Sequence, residues 1–528
     1  MRAKWINLIS LMTTAVCLGA DFSDTRTIEH KLWEDPVVLI NSQGWAQHDL
    51  SIRGSGYTGA GISLNGLNLK SPYSAHFNAE LPILGSLLSS PKTQTGIRNV
   101  SGHLVGTAAY NTVPQVASLQ AGAGIGTKEH YQTTLSGHTG SVGGFLDWEK
   151  ARQIDYDAND LGRIAGGAHA QHFHNDWQLD LIGAHQQKEF GTQGYYGGGL
   201  ADQRIDDSLI FLGAMRGDLD DIFLRASTAF RQMDIDAADS RYAALALEGR
   251  TLEVQHVALN LRGDVENEYA DGRDRTRGSV MILPVARLER FKLSAGLNTT
   301  FQTAESTDFL PMAGVDWFAT DNSTVYTTYS ENIQQPDYYT LNYNPLLQQQ
   351  KTHNSELGFR QFVSGSLDWQ AAAFHRRQEN ASDWNGVTAT DLGTLNVVGL
   401  ESELSYYPSA NLDIRAFYQW VHKDNNATDR FYELDYPEHM FNFSGQWRFT
   451  PELQLFAAQI LRYQTDNDVR TSNNFGANAS VGLHYLPRFA NNARLSLRMK
   501  NLWGSDFEPV PGLKPLGRTI FTEITVVW

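Results

Sequence analysis

The segment Asp49–Pro82 reads DLSIRGSGYTGAGISLNGLNLKSPYSAHFNAELP, and it determines what the rest of the chain must supply. It alternates over Leu50–Arg53, continues through glycines that accept positive φ, and predicts a hairpin at Asn65-Gly66. A β unit so small and so rich in turns buries too few side chains to be stable alone. The segment therefore predicts a small β domain that is enclosed by the remainder of the chain.

The glycine cluster also fits a different motif. Gly54, Gly56 and Gly59 satisfy the G-x-G-x-x-G spacing of a dinucleotide-binding loop, and Glu80 follows about 20 residues later. That motif requires a helix that begins at the third glycine. The sequence after Gly59 instead continues with another glycine, a β-branched residue and the Asn-Gly turn, so it favours a β hairpin over a nucleotide site.

Charge and motifs exclude several function classes. The 528 residues carry a formal net charge of -16, which argues against a nucleic-acid partner because a duplex-binding surface is basic. Neither G-x-S-x-G nor H-E-x-x-H occurs, and no paired-carboxylate motif stands out. We expect no enzyme activity and no cofactor.

The first 20 residues predict export. Arg2 and Lys4 precede a mostly apolar stretch that ends at Gly19-Ala20, as in a secretory signal peptide. The only cysteine, Cys17, lies in this stretch, so the mature chain has no disulfide. No later apolar run is long enough for a transmembrane helix, which leaves a soluble secreted β protein or a transmembrane barrel.

Alternation favours the barrel. In Phe441–Phe449 one face is aromatic and the other is polar, and Arg494–Lys500 alternates in the same way. Aromatic residues near strand ends are typical of membrane interfaces, and the polar face suits a hydrated lumen. The pattern persists over roughly four hundred residues, enough for about 18 to 22 strands. A barrel of that width has an open lumen unless Asp21–Ala117 fills it.

These motifs give the chain a resemblance to the TonB-dependent outer-membrane receptors over nearly its whole mature length. Leu50–Gly54, followed by Ile62–Gly66, resembles the plug motif of that family. Later segments resemble its barrel strands, namely Val325–Tyr329, Asn354–Gly358, Val398–Glu401, Asn501–Trp503 and the terminal aromatic Trp528.

The resemblance implies an all-β membrane protein, a large antiparallel transmembrane β-barrel of about 22 strands filled by a small N-terminal plug domain. The implied division is a signal peptide at 1–20, a short plug at 21–117 and the barrel at 118–528. The implied setting is the bacterial outer membrane, with its lipids around a monomer.

The implied function is uptake. A receptor of this family binds a scarce solute, such as a metal chelate, a siderophore complex or cobalamin, and imports it when a TonB-like periplasmic protein displaces the plug. No TonB box is recognisable in Asp21–Gln47. A passive or structural channel that has lost energy coupling is therefore the alternative, and a barrel enzyme is a third hypothesis with little support.

Aromatic residues in the plug loop and in predicted barrel loops are the candidate ligand contacts, since aromatic rings suit a flat or hydrophobic ligand. Ordinary packing against the barrel is the competing explanation for each of them. The candidates are Tyr73, His76, Tyr195, Tyr196, Tyr338, Tyr339 and Trp384.

Two further sites are predicted. By the resemblance, Arg53, which is expected in a strand, is a plug latch that pairs with a barrel glutamate, and Glu401 and Glu403 are its candidate partners. His172 and His174 fall on one face of a strand and form a possible metal pair, although no carboxylate or cysteine stands at a fixed spacing from them.

Overall fold

The computed structural model describes residues 28–528 apart from 33, 101, 153–159, 193–194, 196–201, 220–221, 237, 252, 304–305, 429 and 491. The predicted signal peptide and Cys17 lie outside this part of the chain. Within it, twenty-two strands form one closed antiparallel barrel, which confirms the expected size. No helix in the described ranges is both long enough and apolar enough to cross a membrane.

The barrel strands follow one another around the barrel in chain order, and the last pairs with the first. They are β7 Ser118–Gly126, β8 His130–His138, β9 Val142–Ala151, β10 Leu161–His174, β11 Trp177–Phe190, β12 Gln203–Leu219, β13 Ile222–Ile235, β14 Ala238–Arg250, β15 Val257–Ala270, β16 Arg273–Arg287, β17 Phe291–Gln302, β18 Asp308–Thr320, β19 Ser323–Gln334, β20 Gln350–Ser364, β21 Leu367–Trp384, β22 Ala389–Ser409, β23 Leu412–Lys423, β24 Pro437–Thr450, β25 Leu453–Gln464, β26 Phe475–Tyr485, β27 Ala493–Lys500 and β28 Thr519–Val527.

Side-chain alternation along these strands separates an apolar outside from a polar inside. On β24, Phe441 and Trp447 are exposed outside, whereas Asn442 between them is buried inside. On β27, Leu495 and Leu497 are exposed and Ser496 is buried. Successive residues of a strand point to opposite faces, so the sequence pattern was sufficient to predict this division.

The two ends of the barrel differ in their connections. At one end, called the turn end, residues 175–176 join β10 to β11 and residues 321–322 join β18 to β19. At the other, called the loop end, longer segments such as 335–349, 424–436 and 501–518 join the strands. Long loops at one end and short turns at the other are typical of outer-membrane barrels, in which the long loops face outward.

The plug is built from short strands that lie inside the barrel. They are β1 Leu39–Gln43, β2 Gln47–Ser51, β3 Ala60–Leu64, β4 Leu67–Leu69, β5 Lys92–Thr95 and β6 Gly106–Tyr110. The β1–β2 hairpin is separate from a mixed sheet ordered β4-β3-β6-β5, in which β3 and β6 run parallel. Helix α1, Ile28–Leu32, precedes β1.

Local turn chemistry was predictable in one case and not in another. Asn65 and Gly66 have φ of 44° and 75°, so the predicted hairpin turn between β3 and β4 is confirmed. The prediction that Arg53 lies in a strand is wrong, because β2 ends at Ser51 and Arg53 has φ of 52°. The backbone turns there because the amide of Ser55 donates to the carbonyl of Ile52.

The plug packs on the barrel wall through a shared hydrophobic core. Ile52, Ile62 and Leu69 from the plug are fully buried in one cluster with Ile182 and Phe211 from the barrel. The small plug therefore completes its core with wall residues, which is the enclosure that Asp49–Pro82 requires.

Candidate functional site

Arg53 joins the plug to two neighbouring parts of the barrel wall. Its Nη1 donates to Glu356 Oε2 at 2.7 Å, and its Nε and Nη2 donate to the two oxygens of Glu401 at 2.9 and 2.5 Å. The guanidinium also lies 4.5 Å from the centroid of the Phe374 ring. Of the two partners considered from sequence, Glu401 makes this contact, whereas Glu403 accepts from Gln370 instead.

The arginine is buried, so its charge depends on these partners. Burial alone lowers the pKa of Arg53, but Glu401 and Glu356 more than offset that effect and raise it above its ordinary value. The contact is therefore an ion pair with hydrogen bonds, and removing one partner leaves uncompensated charge in the lumen. Its role as a plug latch stays a prediction.

Two other ionic contacts hold the plug. Lys70 bonds to Glu266 at 2.8 Å and to Glu268, both on β15. Glu80 bonds to Lys188 on β11, and its Oε1 lies 3.0 Å from Nδ1 of His48. Burial alone raises the pKa of Glu80, but Lys188 and His48 lower it to about 2. All three contacts join a charged group of the plug to a charged group of the barrel wall.

The barrel loop 335–349 bonds to the plug at the loop end. The amide of Tyr339 donates to the carbonyl of Tyr73 at 2.7 Å, and Asp337 Oδ2 accepts from the amide of Ala75 at 2.8 Å. Asp337 Oδ1 also caps helix α2, Tyr338–Tyr343, by accepting from the amide of Thr340. One aspartate thus fixes both the loop helix and the plug loop.

A second barrel loop, 424–436, contacts the plug from the other side. Glu433 Oε2 accepts from the amide of Gly56 at 2.8 Å, and Glu433 Oε1 bonds to Lys423 at 2.7 Å. A Cβ at Gly56 would lie 3.0 Å from Glu433, so a glycine at this position permits the close approach. The two loops together cover the outer side of the plug.

Aromatic rings fill the space between these loops and the plug. The rings of Tyr57 and His76 stack with centroids 3.6 Å apart, and Tyr432 meets both edge-on. Tyr339 lies 5.8 Å from Tyr73 and 5.5 Å from Trp384. These rings form an aromatic cluster at the loop end.

A cavity of about 360 Å³ opens beside this cluster. Its walls come from the plug loop, from the loop-end hairpins of β12 to β16 and from α2. Its lining residues are Tyr73, Ser74, His76, Phe77, Gln203, Ile235, Asp236, Ala238, Asp271 and Tyr339. The size lies within the range of small-molecule sites, and the walls mix aromatic and carboxylate groups.

Some of the predicted ligand-contact residues line the cavity, and others do not. Tyr73, His76 and Tyr339 line the cavity. Tyr338 lies beneath the guanidinium groups of Arg273 and Arg275 and is buried.

The remaining aromatic candidates do not line the cavity or lie beyond the described chain. Tyr195 is buried and donates its hydroxyl to the carbonyl of Gln43 in the plug, so it does not face the cavity. Tyr196 lies outside the described residues. The prediction that Trp384 lies in a loop is wrong, because β21 continues to Trp384 at the loop end.

The predicted histidine pair faces away from the lumen. His172 and His174 are both exposed on the outer face of β10, with parallel rings whose centroids are 6.3 Å apart. On the inner face, His169 instead meets His138 at 5.4 Å. No group of three or more His, Cys, Asp or Glu residues suited to a metal ion occurs in the described part of the chain. Metal binding by His172 and His174 stays a prediction.

Sequence reasoning missed several residues of the site. Tyr57 and Tyr432 are separated by 375 positions and meet only through folding. Asp236 and Asp271 line the cavity from hairpins whose position in the fold the sequence did not reveal. The signal that was available is local: Asp271-Gly272 is a strong hairpin dipeptide and places an aspartate at a strand end.

A closed barrel, an internal plug and an outward cavity define a plugged transport barrel. Residues 96–504 match the family model described as TonB dependent receptor-like, beta-barrel. The chain therefore belongs to the TonB-dependent receptor-like β-barrel family and is a bacterial outer-membrane protein. Members of this family are transporters rather than enzymes.

Similar solved structures agree with this fold. The FrpB iron transporter of Neisseria meningitidis (F3-3 variant) has a TM-score of 0.74 at 12% identity, covering 96% of this chain and 97% of that chain. A mutant of the ferric enterobactin receptor PfeA of Pseudomonas aeruginosa has 0.73 at 13%, covering 96% of each. The copper transporter OprC has 0.73 at 13%, covering 93% and 94%. A search of curated protein sequences found no match.

Proposed function

We propose that the protein binds a small scarce solute at the loop end and imports it to the periplasm when a TonB-like protein displaces the plug. The observation that carries the proposal is the cavity, which is bounded on one side by the plug loop and on the other by barrel loops. A solute bound there contacts both the plug and the wall, so its occupancy and the position of the plug are physically linked.

The ionic contacts support displacement rather than a permanent seal. Arg53, Lys70 and Glu80 attach the plug to different sides of the barrel, and each contact exchanges for water once the plug shifts. The named transporters carry iron, ferric enterobactin and copper, so a metal or metal chelate is the solute class that we propose.

The domain division belongs to the same proposal. Residues 1–20 are the signal peptide, 21–117 the plug and 118–528 the barrel of a monomer in outer-membrane lipid. The TonB-like partner then contacts the segment that precedes β1. A passive channel is the second candidate, because Asp21–Gln47 contains no recognisable TonB box.

Single-channel recording in planar bilayers tests the plug, with the full mature protein compared against a variant that lacks 21–117. We expect the intact protein to be nearly closed and the deletion variant to conduct, because a barrel of 22 strands is wide enough for an aqueous lumen. An intact protein that conducts would favour the passive channel. A heat-modifiable band on a gel, unchanged by the deletion, controls for barrel folding.

Uptake by cells tests the coupling. Cells that lack other receptors and express this protein should accumulate a radioactive ferric chelate, and accumulation should stop when an uncoupler collapses the proton gradient. Continued uptake after the uncoupler would contradict TonB-coupled transport and leave the barrel fold untouched.

A further inference from the structure

We propose that the loop-end cavity selects a positively charged solute, with an ammonium group or an equivalent cation directed toward Asp236 and Asp271. The inference rests on the proposed receptor function and adds the charge class of its solute.

The first observation is the pair of carboxylates in the cavity wall. Asp236 and Asp271 occupy the loop-end hairpins that follow β13 and β15, and both are exposed there. Asp236 Oδ1 accepts from the amide of Arg204 at 2.9 Å, and Asp271 Oδ2 accepts from Asn342 Nδ2 at 3.0 Å. Neither forms an ion pair with any described residue, so both keep their charge for a solute.

The second observation is that nearby cations are already engaged. Arg204 pairs with Asp206 and Glu189, and Arg241 pairs with Asp239. Arg273 donates to Asn342 and to the carbonyl of Tyr338. None of the ten lining residues is Lys or Arg. The lining therefore contributes the negative charge of two aspartates and no arginine or lysine charge.

The third observation is an unpartnered hydroxyl. Ser74 lines the cavity with 2% of its surface exposed, and its Oγ has no hydrogen-bond partner among the described residues. A buried hydroxyl without a partner is costly, and a solute that offers a donor or acceptor removes the cost. Ser74 therefore marks where a polar group of the solute belongs.

The aromatic walls of the cavity also favour a positively charged solute. Tyr73 and Tyr339 meet edge-on at 5.8 Å, and aromatic faces attract cations through their quadrupole. Burial, and then the negative charge of Asp271, raise the pKa of Tyr73 to about 12, which agrees with a carboxylate close to this ring. An anionic chelate meets carboxylates and ring faces there, both of which repel it.

A matched series of ferric trishydroxamates tests the proposal. One member carries a pendant ammonium, one has that amine acetylated and neutral, and one has it succinylated and anionic. Binding to the full mature protein in detergent is measured by calorimetry. We expect the ammonium form to bind tightest and the anionic form about tenfold weaker, because two exposed carboxylates act on it. The iron-free ammonium ligand is a fourth arm, which distinguishes a metal chelate from a free amine as the source of the cation.

Three variants locate the effect. Asp236→Asn with Asp271→Asn should reduce the preference between ammonium and anionic forms to about twofold or less. Asp321→Asn removes one exposed carboxylate at the turn end, and it should leave the preference unchanged. Ser74→Ala should weaken all forms alike, because it removes a hydrogen bond and no charge.

The proposal is overturned if the neutral or anionic form binds as tightly as the ammonium form, if the double variant keeps the preference, or if no form binds at millimolar concentration. These outcomes leave receptor function intact, because plug closure and uncoupler-sensitive uptake are measured independently. An intact protein that conducts, together with uptake that continues after the uncoupler, would reject the proposed function itself.

Discussion

At the scale of single residues, Arg53 concentrates the ionic contact between the plug and strands β20 and β22. Its left-handed backbone, with φ of 52°, directs the side chain toward Glu356 and Glu401, which lie in different strands. A non-glycine residue in this conformation is uncommon and costs energy, which the two ion pairs offset.

We expect Arg53→Ala to weaken plug retention by about 3–5 kcal/mol, because it leaves two glutamates without a counter-charge. The measurement is the urea concentration at which single-channel conductance rises. Arg53→Lys should open at a urea concentration between those of the parent protein and Arg53→Ala. An ammonium cannot bond both carboxylates with the planar geometry of a guanidinium.

A variant without the two glutamates separates the effect of unpaired charge in Arg53→Ala from the effect of lost side-chain packing. Adding Glu356→Gln and Glu401→Gln to Arg53→Ala should restore part of the lost retention, since no unpaired carboxylate remains. If the triple variant opens as early as Arg53→Ala, the ion pairs do not carry the attachment.

We expect His103 to make the plug sensitive to acid. Burial, and then Lys70, lowers its pKa from 6.5 to about 3, so the folded plug holds a neutral ring whose Nε2 lies 2.7 Å from Asn68 Oδ1. The unfolded plug binds the proton more tightly between these values. Stability is therefore lost as pH falls from 6.5 toward 3, by up to about 1.4 kcal/mol per pH unit.

We expect conductance of the intact protein to appear at lower urea as pH falls through this range, and the slope to shrink in His103→Asn. His256→Asn, which changes an exposed histidine at the turn end, should keep the slope of the parent protein. An unchanged slope in His103→Asn would assign the acid sensitivity to other groups.

At the scale of elements, loop 335–349 depends on one aspartate. Helix α2 has six residues, too few to be stable alone, and Asp337 both caps it and accepts from the plug amide of Ala75. The helix should therefore form only while the loop is docked on the plug.

We expect Asp337→Ala to increase hydrogen exchange of the α2 amides about five- to thirtyfold, which corresponds to about 1–2 kcal/mol for a lost cap. Mass spectrometry of peptides that span Tyr338–Tyr343 measures this. Asp337→Asn keeps an acceptor at the same place and should show a smaller change. Equal protection in the alanine variant would mean that backbone contacts with Tyr73 suffice.

Sequence patterns predicted the secondary-structure elements better than they predicted the contacts between distant residues. The hairpin at Asn65-Gly66 follows from local φ preferences, and the outward face of β24 follows from a period of two. The partners of Arg53 do not, because Glu356 is 303 positions away and only strand register brings it close. Trp384 was misplaced because β21 extends to the loop end, beyond the length that a membrane requires.

At the scale of the whole molecule, an apolar outer belt holds the barrel in its membrane. Leu181 in the middle of β11 and its register partner Leu212 on β12 are 46% and 50% exposed, which water would disfavour and lipid permits. The polar groups of each strand backbone pair with neighbours around the closed barrel, so the belt needs no further partner.

We expect Leu181→Arg to lower the free energy of unfolding in lipid by about 2–4 kcal/mol, because it places a charge on the lipid face far from either interface. Urea titration of the protein folded in phospholipid vesicles, followed by the heat-modifiable band on a gel, measures this. Leu346→Arg makes the same substitution in loop 335–349, where Leu346 is 85% exposed, and it should be nearly neutral because water surrounds it. If both variants unfold at the same urea concentration as the parent protein, the outer face of β11 does not contact lipid and the membrane position of the whole barrel must be revised.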